Sequence, residues 1–174
     1  MSPDSDQHAD QPAAEDNQPI TIERSAQLAQ VALDLVRRSR RTLAMTSRQL
    51  DPVVYDQTEF VEAVRQLALR SQHSRIRVIV NDPKSVASRG HRLLELARQL
   101  PTFIEIRRFG ESHESFNEAW LLADDVGYIR RSHADRYNGI AVLRDRRTTR
   151  ELLRQFDELW QAALPDAELR RLSL

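Results

Sequence analysis

Histidines are the side chains that most often act as general bases near neutral pH. There are five of them, and no cysteine. His113 lies close to Glu111, Glu114 and Asn117, which offer oxygen and nitrogen ligands but lack a regular metal-ligand spacing. We therefore expect a solvated loop there, with no metal and no cofactor.

A second polar group, rich in arginine, spans residues 130–138. Arginine favours planar, bidentate contacts with phosphate and carboxylate groups, so this segment predicts a phosphate- or ligand-binding loop. The candidate ligand-binding residues are Arg130, Arg131, Ser132, His133, Asn138 and, as an extension of the patch, Arg107. A solvated loop with internal salt bridges is the alternative interpretation.

A third polar group comes from the segments that follow two predicted strands. It consists of Ser47, Arg48, Asp51, Asn81 and Asp82. Open α/β sheets bind ligands at such strand ends, but the same residue types also form turns and cap helices. We expect the turn-forming role to dominate.

No familiar catalytic or nucleotide-binding pattern is complete. The glycines at 90, 110, 127 and 139 form neither G-x-G-x-x-G nor a P-loop, and no G-x-S-x-G elbow is present. The sequence therefore predicts no catalytic residue of a standard kind.

The composition limits the class of protein. With 174 residues, 40% hydrophobic and 30% charged, the sequence is typical of one globular domain. Lys/Arg and Asp/Glu both number 26, which argues against strong nonspecific nucleic-acid binding, although a local arginine patch keeps nucleic acid as an alternative partner. No apolar run is long enough to span a membrane, and the lack of cysteine fits a cytoplasmic location.

The elements that must position these residues follow from hydrophobic periodicity. Residues 1–19 are polar and aperiodic, which predicts a disordered leader before a single domain over residues 20–174. Apolar residues spaced by three and four predict helices from about residue 23, from Thr58, over 93–100 and after Thr148-Thr149-Arg150-Glu151, which has the form of a capping box.

Strands are predicted between these helices. The runs are Thr42–Ser47, Arg75–Val80, 103–106, a hairpin formed by 119–123 and 127–129, and 139–143. Alternation of strands and helices favours parallel pairing, so we expect an α/β fold with a mixed, mostly parallel sheet and helices on both faces.

This order of elements resembles one repeat of the phospholipase D-like fold. In that family a strand carrying H-x-K-x4-D precedes a hairpin that ends in Gly-Ser and a helix that often ends in Phe-x-x-x-Trp. Here Trp120–Asp124 resembles the strand that leads to the motif aspartate, Ser132 lies at the serine position, and Phe156 and Trp160 match the helix end. The resemblance covers roughly residues 40 to 162.

The resemblance places Asn117 at the family's histidine and Ala119 at its lysine, with Asp124 as the remaining aspartate. In the family the histidine attacks phosphorus and the lysine holds the phosphoryl oxygens. Asparagine and alanine can do neither, and no other histidine of the chain begins the motif. The three positions are therefore interpreted as a vestigial motif.

The first hypothesis is a noncatalytic phospholipase D-like domain with a binding or regulatory role. Two alternatives are phosphate-ester hydrolysis or transfer by His113 or His133 beside Arg130 or Arg131, and nucleic-acid binding through the arginine-rich loop. The chain also resembles uncharacterised proteobacterial domains that are in part joined to GNAT-type acetyltransferases, which implies an acetyltransferase as a partner. The single repeat implies a homodimer.

Overall fold

A seven-stranded sheet forms the centre of the protein. The structure is a computed structural model that describes residues 15–170. The strands are β1 (Ile20–Ile22), β2 (Thr42–Ser47), β3 (Arg75–Val80), β4 (Ile104–Arg108), β5 (Ala119–Ala123), β6 (Gly127–Arg131) and β7 (Gly139–Val142). Their order across the sheet is β1-β7-β6-β5-β2-β3-β4.

The mixed sheet is as expected, but parallel pairing does not dominate it. Strands β2, β3 and β4 are parallel, whereas the pairs β1–β7, β7–β6, β6–β5 and β5–β2 are antiparallel. The reason lies in the connections. Helices join β2 to β3 and β3 to β4, as parallel neighbours require. The helix between β1 and β2 joins strands that are not neighbours, and the strands of the second half are joined by loops without an α-helix, which gives antiparallel pairs.

Seven helices accompany the sheet in the described part of the chain. They are α1 (Ser25–Arg38), α2 (Pro52–Tyr55), α3 (Thr58–Leu69), α4 (Pro83–Ser88), α5 (Arg92–Gln99), α6 (Arg146–Ala162) and α7 (Ala167–Arg170). A single 3₁₀ turn covers Glu111–His113. No helix within residues 15–170 combines the length and the apolar character needed to cross a membrane.

Each face of the sheet has its own apolar core, because alternate side chains of a strand point to opposite faces. On one face, β2 and β5 contribute Leu43, Met45 and Leu121 to a core shared with α1, α3 and α5. On the other face, Trp120 and Leu122 pack with α6 in a smaller core. The prediction of helices on both faces is confirmed.

Four local expectations need correction. Asp51 is expected to form a turn, yet it directly precedes α2, because proline is well suited to the first helical position. Helix α6 begins before the predicted capping box and is capped by Asp145, whose side chain accepts from the Thr148 amide. Helix α4 and strand β1 were not predicted, since both are too short to show periodicity. The predicted leader falls mostly on residues 1–14, which lie outside the described range.

Candidate functional site

One edge of the sheet collects most of the predicted site residues. Strands β2, β3, β4 and β6 end there, and the antiparallel strands β5 and β7 begin there. We call it the strand-end edge, and it comprises the loops that follow Ser47, Val80, Arg108 and Arg131 and the residues that precede Ala119. Ligands of open α/β sheets bind at such an edge, so the strand-end edge is the candidate location of a site.

A buried ion pair lies at the centre of the strand-end edge. Arg131 is the last residue of β6 and stands opposite Ala119 of β5 in the sheet register. Its side chain is 1% exposed, donates from Nη2 to Oδ2 of Asp51 at 2.8 Å, and donates from Nη1 to the Arg136 carbonyl at 2.7 Å. The guanidinium charge is therefore matched by a carboxylate within the protein.

The surroundings of this pair keep the guanidinium charged. Burial opposes the charged form of Arg131, but Tyr55 and Asp51 outweigh it, and the pKa of Arg131 lies above its usual value. Burial in turn raises the pKa of the Tyr55 phenol, although the positive charge of Arg131 acts in the opposite direction. At neutral pH the Tyr55 phenol is therefore neutral and the Arg131 guanidinium is charged.

A second ion pair lies on the opposite face of the same strands. Arg130 binds Glu118 through two hydrogen bonds, Nε to Oε2 at 2.8 Å and Nη2 to Oε1 at 3.0 Å. The indole N–H of Trp120 also donates to Glu118 Oε2, at 2.7 Å. The hydrogen bond from Arg130 is the largest cause that lowers the pKa of Glu118, against its partial burial. Neighbouring arginines on one strand thus serve two separate internal pairs.

The three positions of the predicted vestigial motif are not brought together. Asn117 is exposed, and its backbone carbonyl accepts from the Ala134 amide at 2.7 Å. Ala119 is buried at the start of β5. Asp124 lies beyond the other end of β5, and at about 3.3 Å per residue this five-residue strand is roughly 17 Å long.

Asp124 instead holds the start of β2 in place. Its Oδ1 accepts from the amides of Arg41 and Thr42, both at 2.9 Å, and its Oδ2 accepts from the amide of Arg40 at 2.8 Å. The residue has a left-handed backbone with φ of 50°, which suits the tight turn between β5 and β6. Its contacts in this protein are those of a backbone clamp.

The histidines proposed as alternative catalytic groups make no hydrogen bond to either arginine pair in the described residues, although His133 lies near Glu118. His133 is exposed, and His113 is hydrogen-bonded to the Ser112 hydroxyl at 3.0 Å. The one fully buried histidine of the described chain is His91, whose Nδ1 accepts from the Leu93 amide while Nε2 bonds to the Leu50 carbonyl. Burial lowers the pKa of His91, so it is a neutral helix cap.

The third predicted group forms turns, as expected. Ser47 Oγ accepts from the Leu50 amide, and the Asn81 amide group donates to the Phe116 carbonyl. Asp82 caps α4 through Ser85. Asp51 differs from the rest of this group, because its carboxylate binds Arg131. In residues 15–170 no cluster of histidine and carboxylate side chains has the form of a metal site.

A shallow depression of about 310 Å³ unites part of the predicted ligand-binding loop. Ser132, His133 and Asn138 line it together with Arg136 and, from the neighbouring β1 segment, Glu23. Arg107 does not belong to this depression, because it lies on β4 and stacks 4.1 Å from the ring centre of Trp160. The loop and Arg107 are therefore separate features.

Glu118 was not predicted as part of the site, although a signal for it exists. In the predicted hairpin Trp120 pairs with Arg130, so Glu118 comes two residues earlier on the same face and diagonally next to Arg130. Counting the hairpin register from its turn would have found this pair.

A family model described as a domain of unknown function, DUF7931, matches residues 24–172. No curated protein matches the sequence. Solved structures are similar at low identity, and such similarity concerns the fold alone.

Three of these structures illustrate the fold. Nuc from Salmonella typhimurium, a phospholipase D family member, has a TM-score of 0.56 at 10% identity, over 84% of this chain and 97% of that one. NucT from Helicobacter pylori has a TM-score of 0.60 at 9% identity, over 86% and 98%. TrmBL2, an archaeal chromatin protein, has a TM-score of 0.62 at 11% identity over 86% of this chain, which spans only 54% of TrmBL2. The phospholipase D-like fold predicted from the sequence is confirmed.

Proposed function

Because the chain belongs to DUF7931, a family of domains of unknown function, we propose its function from its own geometry: it is a noncatalytic phospholipase D-like domain that binds a ligand. The observation that carries the proposal is the Arg131–Asp51 pair. Arg131, on the strand beside the predicted motif strand, is buried and neutralised, and so cannot hold a phosphoryl group.

The chemistry of the remaining groups supports the same conclusion. Phosphoryl transfer through a covalent intermediate needs a nucleophile and a cation on the transferred oxygens. The predicted motif positions offer an exposed amide at Asn117 and a methyl group at Ala119. His133 does not share its depression with Arg130 or Arg131, so the hydrolase alternative lacks the arrangement that it requires.

The binding role is proposed for the depression beside Ser132, His133 and Asn138. These side chains offer hydroxyl, imidazole and amide donors, and the exposed Arg136 adds a positive charge. Glu23 on the opposite wall favours a ligand that also carries hydrogen-bond donors. A phosphate-containing polar molecule, such as a sugar phosphate, has this combination of groups.

The test of binding uses the full chain and glucose 6-phosphate as the probe. We expect saturable shifts of the backbone amide signals of residues 132–139 in an NMR titration. Arg136→Gln should weaken binding by about tenfold, since a charge-assisted hydrogen bond contributes about 1.5 kcal/mol. Arg154→Gln, which removes an exposed charge from α6, is the matched control. Equal affinity of both variants, or no shifts at these residues, would overturn the assignment.

The test of the noncatalytic role is an assay of phosphodiester hydrolysis with bis(p-nitrophenyl) phosphate. We expect no turnover above that of buffer, and no difference between the wild-type chain and His133→Ala. Turnover that is lost in His133→Ala or in Asp51→Ala would contradict this part of the proposal and favour the hydrolase alternative.

DNA binding is a second candidate, because the similar structures include TrmBL2, an archaeal chromatin protein with a novel mode of DNA binding. It predicts an affinity for duplex DNA that falls steeply with salt. The internal pairing of Arg130 and Arg131 counts against a DNA contact by these two residues.

A homodimer and a role beside an acetyltransferase are further proposals. Sedimentation analysis tests the first, and a binding assay with the acetyltransferase tests the second.

A further inference from the structure

A pocket of about 420 Å³ lies at the edge of the sheet opposite to the strand-end edge. Its positive charges come from the end of α1 and from the segment after β7. They are Arg38, Arg40, Arg144 and Arg146. We propose that this pocket, called here the arginine pocket, binds an organic phosphate monoester whose organic part is apolar.

The charges of the arginine pocket are not balanced from within. Arg38 pairs with Asp16 at 2.9 Å and Arg146 pairs with Asp125 at 2.6 Å. The guanidinium groups of Arg40 and Arg144, in contrast, make no ion pair or side-chain hydrogen bond with any residue of the described range 15–170. Two free guanidiniums on one pocket predict an anionic ligand.

The carboxylate of Asp124, which also lines the pocket, does not cancel these charges at close range. Its two oxygens accept three backbone N–H groups, from Arg40, Arg41 and Thr42. The carboxylate is thereby directed at the backbone of β2. The three amides are thus occupied by Asp124, and the guanidinium groups of Arg40 and Arg144 are the groups left for a ligand.

The remaining wall of the pocket is apolar and therefore favours a ligand with an apolar organic group. Leu35 of α1, Val126 of the hairpin turn and Leu143 after β7 line it. The volume exceeds the space that one phosphate group needs and falls within the roughly 300–1,000 Å³ of small-molecule pockets. A phosphate monoester fits both the charge and the apolar wall of the pocket. Its phosphate would bind Arg40 and Arg144, and its compact apolar group would pack against this wall.

Asp16 acts as a competitor for the ligand. Its carboxylate holds Arg38, and its backbone carbonyl accepts from the Arg144 amide at 2.9 Å. Replacing the carboxylate by an amide keeps the backbone contact and releases the Arg38 charge. Asp16→Asn should therefore bind the ligand more tightly than the wild-type chain.

The experiment is a calorimetric titration of the full chain with phenyl phosphate at fixed ionic strength. We expect saturable binding, weakened about tenfold in Arg40→Gln and in Arg144→Gln, since each loses a charge-assisted hydrogen bond of about 1.5 kcal/mol. Asp16→Asn should tighten it about threefold by the smaller energy of an exposed charge pair. Arg154→Gln, with an equal loss of charge elsewhere, should bind as the wild-type chain does.

The outcomes that would overturn the proposal are distinct. Absence of binding to the wild-type chain, or unchanged affinity in Arg40→Gln and Arg144→Gln, rules out the arginine pocket as the site. Inorganic phosphate that binds as tightly as phenyl phosphate would show that the apolar wall does not contribute to ligand binding. The proposal is independent of the depression at the strand-end edge, because Arg136→Gln should leave phenyl phosphate binding unchanged.

Both arginine variants should fold, because the side chains that they replace are exposed and unpaired within residues 15–170. Urea midpoints equal to that of the wild-type chain check this. NMR shifts on Val126 and Gly127 in the wild-type titration would locate the ligand directly in the arginine pocket.

Discussion

Removal of the Asp51 carboxylate tests whether the centre of the strand-end edge is a structural ion pair. The variant Asp51→Ala leaves the guanidinium of Arg131 buried without a carboxylate, with the Arg136 carbonyl and the Tyr55 hydroxyl as its hydrogen-bond partners. Removing one partner of a buried pair costs about 3–5 kcal/mol, because the other charge is left without compensation. Asp51 is 16% exposed, so water can reach this position in part, and we expect the lower end of the range, about 3 kcal/mol.

The assay is urea unfolding followed by circular dichroism. With a denaturant dependence of about 2 kcal/mol per molar urea, a loss of about 3 kcal/mol lowers the midpoint by about 1.5 M. Asp51 caps α2 only with its backbone, since its side chain makes no cap hydrogen bond, so loss of a cap does not add to this value. The control is Asp157→Ala, which breaks the surface pair with Arg77, where the two side chains are 52% and 29% exposed, and should cost about 0–1 kcal/mol.

A double substitution separates the pair from the individual side chains. Asp51→Leu with Arg131→Met replaces both charges by apolar groups, and such replacements of buried pairs are often neutral or stabilising. We expect the double variant to be more stable than Asp51→Ala. A midpoint for Asp51→Ala within 0.3 M of the Asp157→Ala midpoint, a difference of about 0.6 kcal/mol, would refute the reasoning, because it would mean that Arg131 is hydrated and free to bind a ligand.

Three further predictions concern stability. Burial keeps His91 neutral in the folded chain, while the unfolded chain takes up a proton below a pH of about 6.5. The free energy of unfolding should therefore not depend on His91 above that pH and should fall as the pH drops below it; a His91→Gln variant with the same pH dependence in urea titrations would contradict this. Asp124→Ala should lose about 2–3 kcal/mol, because three backbone amides lose their acceptor and alanine disfavours the left-handed backbone, whereas Asp124→Gly should lose less in the same assay. Gly139→Ala should lower the thermal midpoint by several degrees, since the added methyl would lie 2.7 Å from the Arg130 carbonyl oxygen, and an unchanged midpoint would show that β7 can shift away.

Much of the fold could be predicted from the sequence because its signals are local. The bounds of β2 and β3 were predicted to the residue, since each is a short apolar run between polar turns. The hairpin of β5 and β6 followed from two apolar runs around Asp124-Asp125. Helix α4 was not predicted because it is too short to show periodicity. The start of α6 was predicted too late, because its cap, Asp145, precedes the expected capping box.

The candidate site was less predictable, because its charges are assigned by partners far away in the chain. Arg130 and Arg131 are neighbours in sequence, and the sequence offers both as ligands for phosphate. The pleat of β6 sends them to opposite faces, where Glu118 holds one and Asp51, 80 residues away, holds the other.

The sequence by itself determined the order of most helices and strands and the likeness to the phospholipase D-like fold. Those features depend on residue type and on spacing along the chain. Only the tertiary structure decided which charges are neutralised inside the protein and which stay free. Arg131 became a buried partner of Asp51, while Arg40 and Arg144 have no ion-pair partner among residues 15–170, because an ion pair depends on distance in space and on burial.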